Sequence, residues 1–300
     1  MTLTAMRLPT TVVGSYPVVK GSGLMARVDP LKHAVEVAVA DQVAAGIDII
    51  SDGQVRGDMI RAFTSRLPGI RGSSVVGKVQ PARQPITVGD TKYALSRHPK
   101  VKGILTGPST IAYGLSIGTT FYRNREELIL DLAQALAVEA EYLQNAGVAL
   151  IQIDEPIFST GAANLTVGRE AVNAIAGRLR VPVCLHVCGD LGGVIDEILR
   201  VNVEIFDFEF SNNPHNLEII SKKDLHGRMI GYGCVDSADP GIESVETIHK
   251  RIEMGVEVFS PDAMLIDPDC GLRMQSREAA SGKLKNMVAA AGLARAEHPD

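Results

Sequence analysis

Tryptophan is absent from the 300 residues, and aromatic residues together make up only 4%. A chain so poor in flat rings lacks the stacking platforms that single-stranded nucleic acid requires. Basic excess is missing too: 30 Lys and Arg stand against 35 Asp and Glu, a formal net charge of −5. That balance leaves no electrostatic footprint for nucleic acid or an anionic membrane surface. No apolar run reaches the roughly 18 residues of a membrane-spanning helix, and the N-terminus has no signal-peptide pattern. A soluble, cytoplasmic protein is expected. In that setting four cysteines are expected to be thiols or metal ligands rather than a disulfide framework. No P-loop and no convincing GxGxxG occurs, which argues against nucleotide chemistry.

What is present is a substantial core. The chain is 45% hydrophobic and 22% charged, and apolar strand-like runs alternate with helical patterns throughout. Strands are expected at Thr10–Val13, Ile47–Ile50, Val101–Thr106, Val148–Ile153, Val181–Cys188, Val203–Phe208, Arg228–Tyr232 and Ala263–Ile266. Helices are expected at Pro30–Ala45, Asn124–Asn145 and from Ser276 to about Ala291, with a short one at Asp58–Ser65. Their apolar residues recur at helical spacing, and Asn124 with Glu127 forms an N-cap pair. Helix–Gly–strand recurs at Ala45-Gly46-Ile47, Ala146-Gly147-Val148 and Met254-Gly255-Val256. This alternation predicts an α/β fold, a single (β/α)8 TIM barrel over residues 1–300. One stretch, about 69–98, breaks the rhythm. Val75–Val79 and Ile86–Asp90 suggest a β-hairpin inserted after strand 2.

Polar and reactive residues cluster just after the strands, where barrel active sites are built. In Val-Pro-Val-Cys-Leu-His-Val-Cys, residues 181–188, Cys184, His186 and Cys188 share one strand face. His186 and Cys188 are then roughly 6.5–7 Å apart along the strand, a separation that suits two ligands of one tetrahedral zinc. His-x-Cys alone fits an inert core pair better than a metal site. Glu209 and Cys270 change the weighing, because each also ends a strand and Cys270 sits in a turn, Pro268-Asp269-Cys270-Gly271. A zinc bound by His186, Cys188, Cys270 and a displaceable Glu209 is the reading favoured. Cys184 and Cys234 read as core packing, and His249 and His298 as surface residues. Asp154-Glu155-Pro156 reads either as a helix-start turn or as acids that hold an ammonium group. Ser15, Asp52 and Gln54 are turn residues or substrate contacts. An electron-rich thiolate site suits a substrate thiol better than water, since coordination strips the thiol proton near neutral pH.

With these residues assembled, the sequence resembles the catalytic half of cobalamin-independent methionine synthase, in its short single-barrel form. The resemblance runs from Thr10–Pro17 to the closing helix. It is carried by Ile151–Pro156, His186-Val187-Cys188, Glu209 and Asp267–Gly271. It implies a homocysteine S-methyltransferase of methionine biosynthesis, with one zinc on His186, Cys188, Glu209 and Cys270 holding the homocysteine thiolate. It implies Ser15 at the amino-acid carboxylate and Asp154 at its ammonium, with no catalytic side chain beyond the zinc-activated thiol. Gln54 stands where the long form has a glutamate for the substrate amine. Ala238 stands near a histidine the long form uses as proton donor. A folate needs protonation to leave, so the expected donor is a methylcobamide, either methylcobalamin or a corrinoid protein. Rival readings are a zinc transferase acting on another thiol such as coenzyme M, a non-catalytic zinc module, and a decarboxylase on the same barrel. The last has no need of His186, Cys188 and Cys270 together.

Overall fold

The computed structural model describes residues 6–22 and 28–299. Its six-stranded sheet runs Lys102–Thr106, Leu150–Asp154, Val183–Val187, Ile205–Glu209, Met229–Val235, Met264–Pro268. Strands and helices alternate in the order of the expected (β/α)8 barrel. The first two expected strands are reduced to parallel bridges, Thr10 to Ile266, Thr11 to Ile49, and Ile50 to Val101. The reason lies in Asp48, whose carboxylate accepts the Thr10 N–H and hydroxyl at 2.8 Å each. A side chain there takes a donor that a longer ladder would use. Among the described residues no helix is long and apolar enough to cross a membrane.

The chain divides into two compact units. One comprises Arg56–Lys92 and Lys102–Phe206. Its strands pair in parallel, with Thr106 opposite Asp154 and Asp154 opposite His186. Arg125–Ala146 is the long helix, capped by the Asn124 side chain on the Glu127 N–H at 2.9 Å. Leu128, Leu132, Leu136 and Ala140 are buried along it, the stripe expected of an amphipathic helix. Gly103 allows Leu143 to approach the neighbouring strand, for a Cβ there would lie 3.1 Å from the leucine.

The expected insertion is built differently. A tight hairpin does follow the second strand, but it is short: Ile70–Arg71 pairs antiparallel with Ser74–Val75. Ser74–Val75 then pairs in parallel with Ser116–Ile117. The second predicted arm, Ile86–Asp90, is a turn leading into the helix Val88–Leu95. Glu139 explains this. Its buried carboxylate accepts Ile86 N–H, Thr87 N–H and the Thr87 hydroxyl, each at 2.8 Å. Three donors fixed by one distant acid bend the chain into a turn that alternation alone could not reveal.

The other unit comprises Met1–Val55, Tyr93–Val101 and Asp207–Asp300. Helix Lys32–Ala45 ends at Gly46 in the left-handed region, φ 82°, where glycine carries no Cβ penalty. From this helix, Gln42 plugs the second strand end: Ser51 N–H donates to its Oε1 at 2.8 Å and its amide donates back to Ser51 O at 3.2 Å. Asp41 accepts the Tyr16 hydroxyl at 3.0 Å and a two-pronged Arg277 at 2.7 and 2.8 Å. These bonds fix the loop after the first strand against Lys32–Ala45 and the closing helix Arg277–Glu297. Burial is the main reason the Tyr16 hydroxyl is pushed well above its ordinary range, with Asp41 adding to it.

Glu139→Gln should lower unfolding stability by about 1–3 kcal/mol, because an amide places N–H groups where an acceptor is needed. A shifted urea midpoint with unchanged slope checks this, and an unshifted midpoint would dismiss the capping role.

Candidate metal and substrate site

In the unit of Lys102–Phe206, register places the site residues. Parallel partners share a sheet face, so Thr106, Asp154 and His186 stand abreast at the strand ends. Asp154 and His186 are both buried. Cys188 follows one pleat beyond His186 and is half-buried. A ring nitrogen of His186 and Cys188 Sγ lie within 4.8 Å of one another. Below them runs a buried polar chain. Lys102 Nζ donates to Gln152 Oε1 at 2.5 Å, and Gln152 Nε2 donates to Asp154 Oδ1 at 2.7 Å. The cation thus orients the amide, and the amide presents its N–H to the carboxylate.

Glu155 differs from its neighbour. It is fully buried and accepts Ser109 N–H at 2.8 Å, Thr110 N–H at 2.7 Å and the Thr110 hydroxyl at 2.7 Å. It holds the start of the helix Pro108–Tyr113, and only glycine fits at 107, where a Cβ would fall 2.1 Å from the Glu155 carboxyl carbon. Of the two acids in Asp154-Glu155, therefore, the second belongs to the scaffold. Burial pushes its carboxyl up to about 7, opposed by these hydrogen bonds.

In the unit containing Asp207–Asp300, Ser15 and Cys270 line one recess with Gly14, Tyr16, Gln42 and Gly271. Leu272 N–H donates to Ser15 O at 2.8 Å. Gly271 has no room for a Cβ, which would sit 2.0 Å from Ser15 Oγ. Gln54 adopts φ 42°, uncommon for a residue with a side chain. Asp52 Oδ1 accepts its N–H at 2.9 Å, and Arg273 Nη1 donates to its carbonyl at 3.0 Å. The Gln54 turn and the Cys270 turn are thereby tied. Glu209 ends its strand buried. Asn213 Nδ2 donates to its carboxylate, and Asn216 Nδ2 to its backbone carbonyl at 2.9 Å.

Asp269 is the residue the sequence reading passed over. Its carboxylate accepts Phe210, Ser211 and Asn212 N–H at 3.1, 2.9 and 2.7 Å. It sits beside Cys270 and clasps the turn that leaves Glu209. Burial, and the nearby Glu209 charge, push its carboxyl up to about 8 while the three amides pull it down. Nothing in Pro-Asp-Cys-Gly announces this partner, because Phe210–Asn212 lies far away in sequence. Cys184 and Cys234 are buried as expected, and burial pushes the Cys234 thiol far up. His249 is not the surface residue expected: its side chain is only 20% exposed.

A sequence profile for the family described as "Cobalamin-independent synthase, Catalytic domain" matches residues 8–293. A methionine synthase of Methanothermobacter marburgensis is 45% identical, over 94% of this chain and 98% of its own length. One from Methanocaldococcus jannaschii is 43% identical, over 95% and 98%. Among solved structures, a B12-independent methionine synthase from Shewanella sp. W3-18-1 in complex with selenomethionine has a TM-score of 0.86 at 24% identity. That match covers 98% of this chain and 99% of that one.

Glu155 generates a stability expectation with a definite sign. Its carboxyl is raised from 4.5 to about 7 in the folded chain, so folding takes up a proton between those pH values. Unfolding free energy should therefore fall as pH rises from about 4.5 to about 7. In Glu155→Gln this component of the slope should vanish, alongside a loss of about 1–3 kcal/mol at all pH. Denaturant titrations across that window test both, and identical slopes in the two proteins would refute the assignment.

Proposed function

The chain belongs to the cobalamin-independent methionine synthase catalytic-domain family, and from that premise we propose that it transfers a methyl group to the sulfur of homocysteine, giving methionine, with one zinc held by His186, Cys188, Glu209 and Cys270. The observation that carries this reading is the strand register that puts Asp154 beside His186, with Cys188 one pleat on. An imidazole, two thiolates and a carboxylate are the donors zinc takes in tetrahedral coordination. The spacing of His186 and Cys188, within 4.8 Å, is compatible with a shared ion. When bound, zinc supplies the positive charge that lets a thiol lose its proton near neutral pH.

The chain's own residues would select and orient the amino acid. Asp154, held by Gln152 at 2.7 Å, offers a braced carboxylate to the α-ammonium group. Ser15 offers a hydroxyl to the α-carboxylate, and Gln54 a neutral amide to the substrate's polar end. Glu209 would be the ligand to give way to a substrate sulfur if zinc is bound there, since a carboxylate oxygen is the hardest donor of the set. Two donors on one small molecule, an ammonium and a thiol, distinguish homocysteine from thiols such as coenzyme M that lack the ammonium.

The favoured methyl donor is a methylcorrinoid, free or on a partner protein. A tetrahydrofolate leaving group needs a proton. Gln54 is not an acid, and Ala238 brings only a methyl group to its turn, its N–H bound to Asp236 Oδ1 at 2.7 Å. A methylcorrinoid needs no proton: the sulfur–carbon bond forms as the cobalt–carbon bond breaks, and the electron pair stays with cobalt.

Zinc-edge X-ray absorption with and without homocysteine is the direct test, with one oxygen neighbour expected to give way to sulfur. A shell indifferent to homocysteine would favour a non-catalytic zinc module. Cys188→Ala and Cys270→Ala should each lose most of the zinc and the transfer activity, and normal activity in either would remove it from the ligand set. Asp154→Asn should raise KM for homocysteine at least tenfold, and an unchanged KM would count against the ammonium contact. Methylcobalamin should outperform methyltetrahydrofolate as donor, and equal rates would overturn that choice.

A further inference from the structure

Three metal-capable side chains, His249, Glu253 and Glu297, bring ligand atoms within 4.8 Å of one another. His249 and Glu253 stand one turn apart on the helix Val245–Val256, on the same face. Glu297 and His298 come from the end of the closing helix Arg277–Glu297. His249 Nε2 lies 3.7 Å from a Glu253 oxygen and 3.3 Å from a Glu297 oxygen. His298, outside this group, makes a hydrogen bond from its ring Nε2 to the other Glu253 oxygen at 2.9 Å. His249 Nε2 and Glu253 Oε1 are enclosed, yet neither has a hydrogen-bond partner.

Two readings compete, a hydrogen-bonded ion-pair cluster and a metal site. For the first, enclosed donors and acceptors would be expected at hydrogen-bond distance, near 2.9 Å. The His249 contacts are longer. They match the edge of a coordination tetrahedron, about 3.4 Å for bonds of about 2.1 Å. Charge points the same way. Two carboxylates crowd the imidazoles, while the nearby Arg7 and Arg295 direct guanidinium nitrogens to Asp262 and Asp48. A divalent ion would satisfy both unbonded atoms and neutralise both acids.

We propose that His249, Glu253 and Glu297 form a second metal site, taking a divalent transition-metal ion of borderline softness such as zinc, with His298 bracing Glu253 from outside the ligand set. Imidazole with carboxylate favours such ions over magnesium or calcium. The site lies at the strand-start end of its unit. Arg295, two residues before Glu297, donates to Leu8 O at 2.9 Å and to Asp48 at 2.6 Å, both just ahead of strand positions. Ser15 and Cys270 sit at the opposite strand ends. Bound metal would pin the end of the closing helix to its neighbour and leave the substrate recess untouched.

The test is metal counting after equilibrium dialysis of the whole protein against graded free Zn2+. The unsubstituted protein should bind one equivalent more than the thiolate site accounts for. Cys188→Ala should keep that extra equivalent, so failure of the catalytic-zinc reading leaves this one standing. His249→Ala should bind it at least tenfold more weakly. Glu297→Gln, at a half-exposed carboxylate less able to disturb folding, should weaken it in the same direction. No uptake beyond the thiolate-dependent equivalent, or uptake unchanged in both variants, would overturn the proposal.

Discussion

Parallel pairing of Lys102–Thr106, Leu150–Asp154 and Val183–Val187 leaves no freedom in which side chains meet at the strand ends. A slip of one residue would turn every side chain to the opposite face. Asp154 would then leave the neighbourhood of His186, and Lys102 would lose its cross-strand bond to Gln152. Two backbone bonds lock the register just beyond the strands, Gly107 N–H to Asp154 O at 2.8 Å and Glu155 N–H to His186 O at 2.9 Å. The Glu155 carboxylate then anchors the next helix. A residue proposed to hold substrate and a residue that holds the scaffold are thus neighbours in one dipeptide, Asp154-Glu155.

Much of this was legible because buried parallel strands read as apolar runs that stop at a polar residue. The strand-end placement of Asp154, His186, Cys188, Glu209 and Cys270 was read from that stop. The Asn124 cap was legible too, since it sits next to the turn it binds. What escaped were acids whose partners lie far off in sequence. Glu139 reaches back to residues 86 and 87 and turns a predicted strand into the lead of a helix. Asp269 reaches to residues 210–212. His249 and Glu297 meet only because two helices pack. Periodicity carries information about faces, not about which faces touch.

Glu155 and Asp269 solve the same problem in different units. Each is a buried carboxylate beside a residue assigned to the site, and each gathers main-chain N–H groups that would otherwise lack acceptors. A group of this kind is expensive to change, because removing the acceptor strands several donors at once. The site residues themselves carry fewer such obligations. Ser15 and Gln54 sit on turns held through their backbones.

The four thiols fall into two classes by environment. Cys184 and Cys234 are sealed in the interior, while Cys188 and Cys270 are half-open. Alkylating and oxidising reagents attack the accessible thiolate form. The native protein therefore offers such reagents two sulfurs of four, and they are the two assigned to zinc. On the proposed zinc assignment, oxidative damage and metal loss would be one event, for a sulfur carried to sulfinic acid no longer serves as a thiolate ligand. The sulfurs proposed to hold a substrate thiol through zinc would then also be the protein's point of redox weakness.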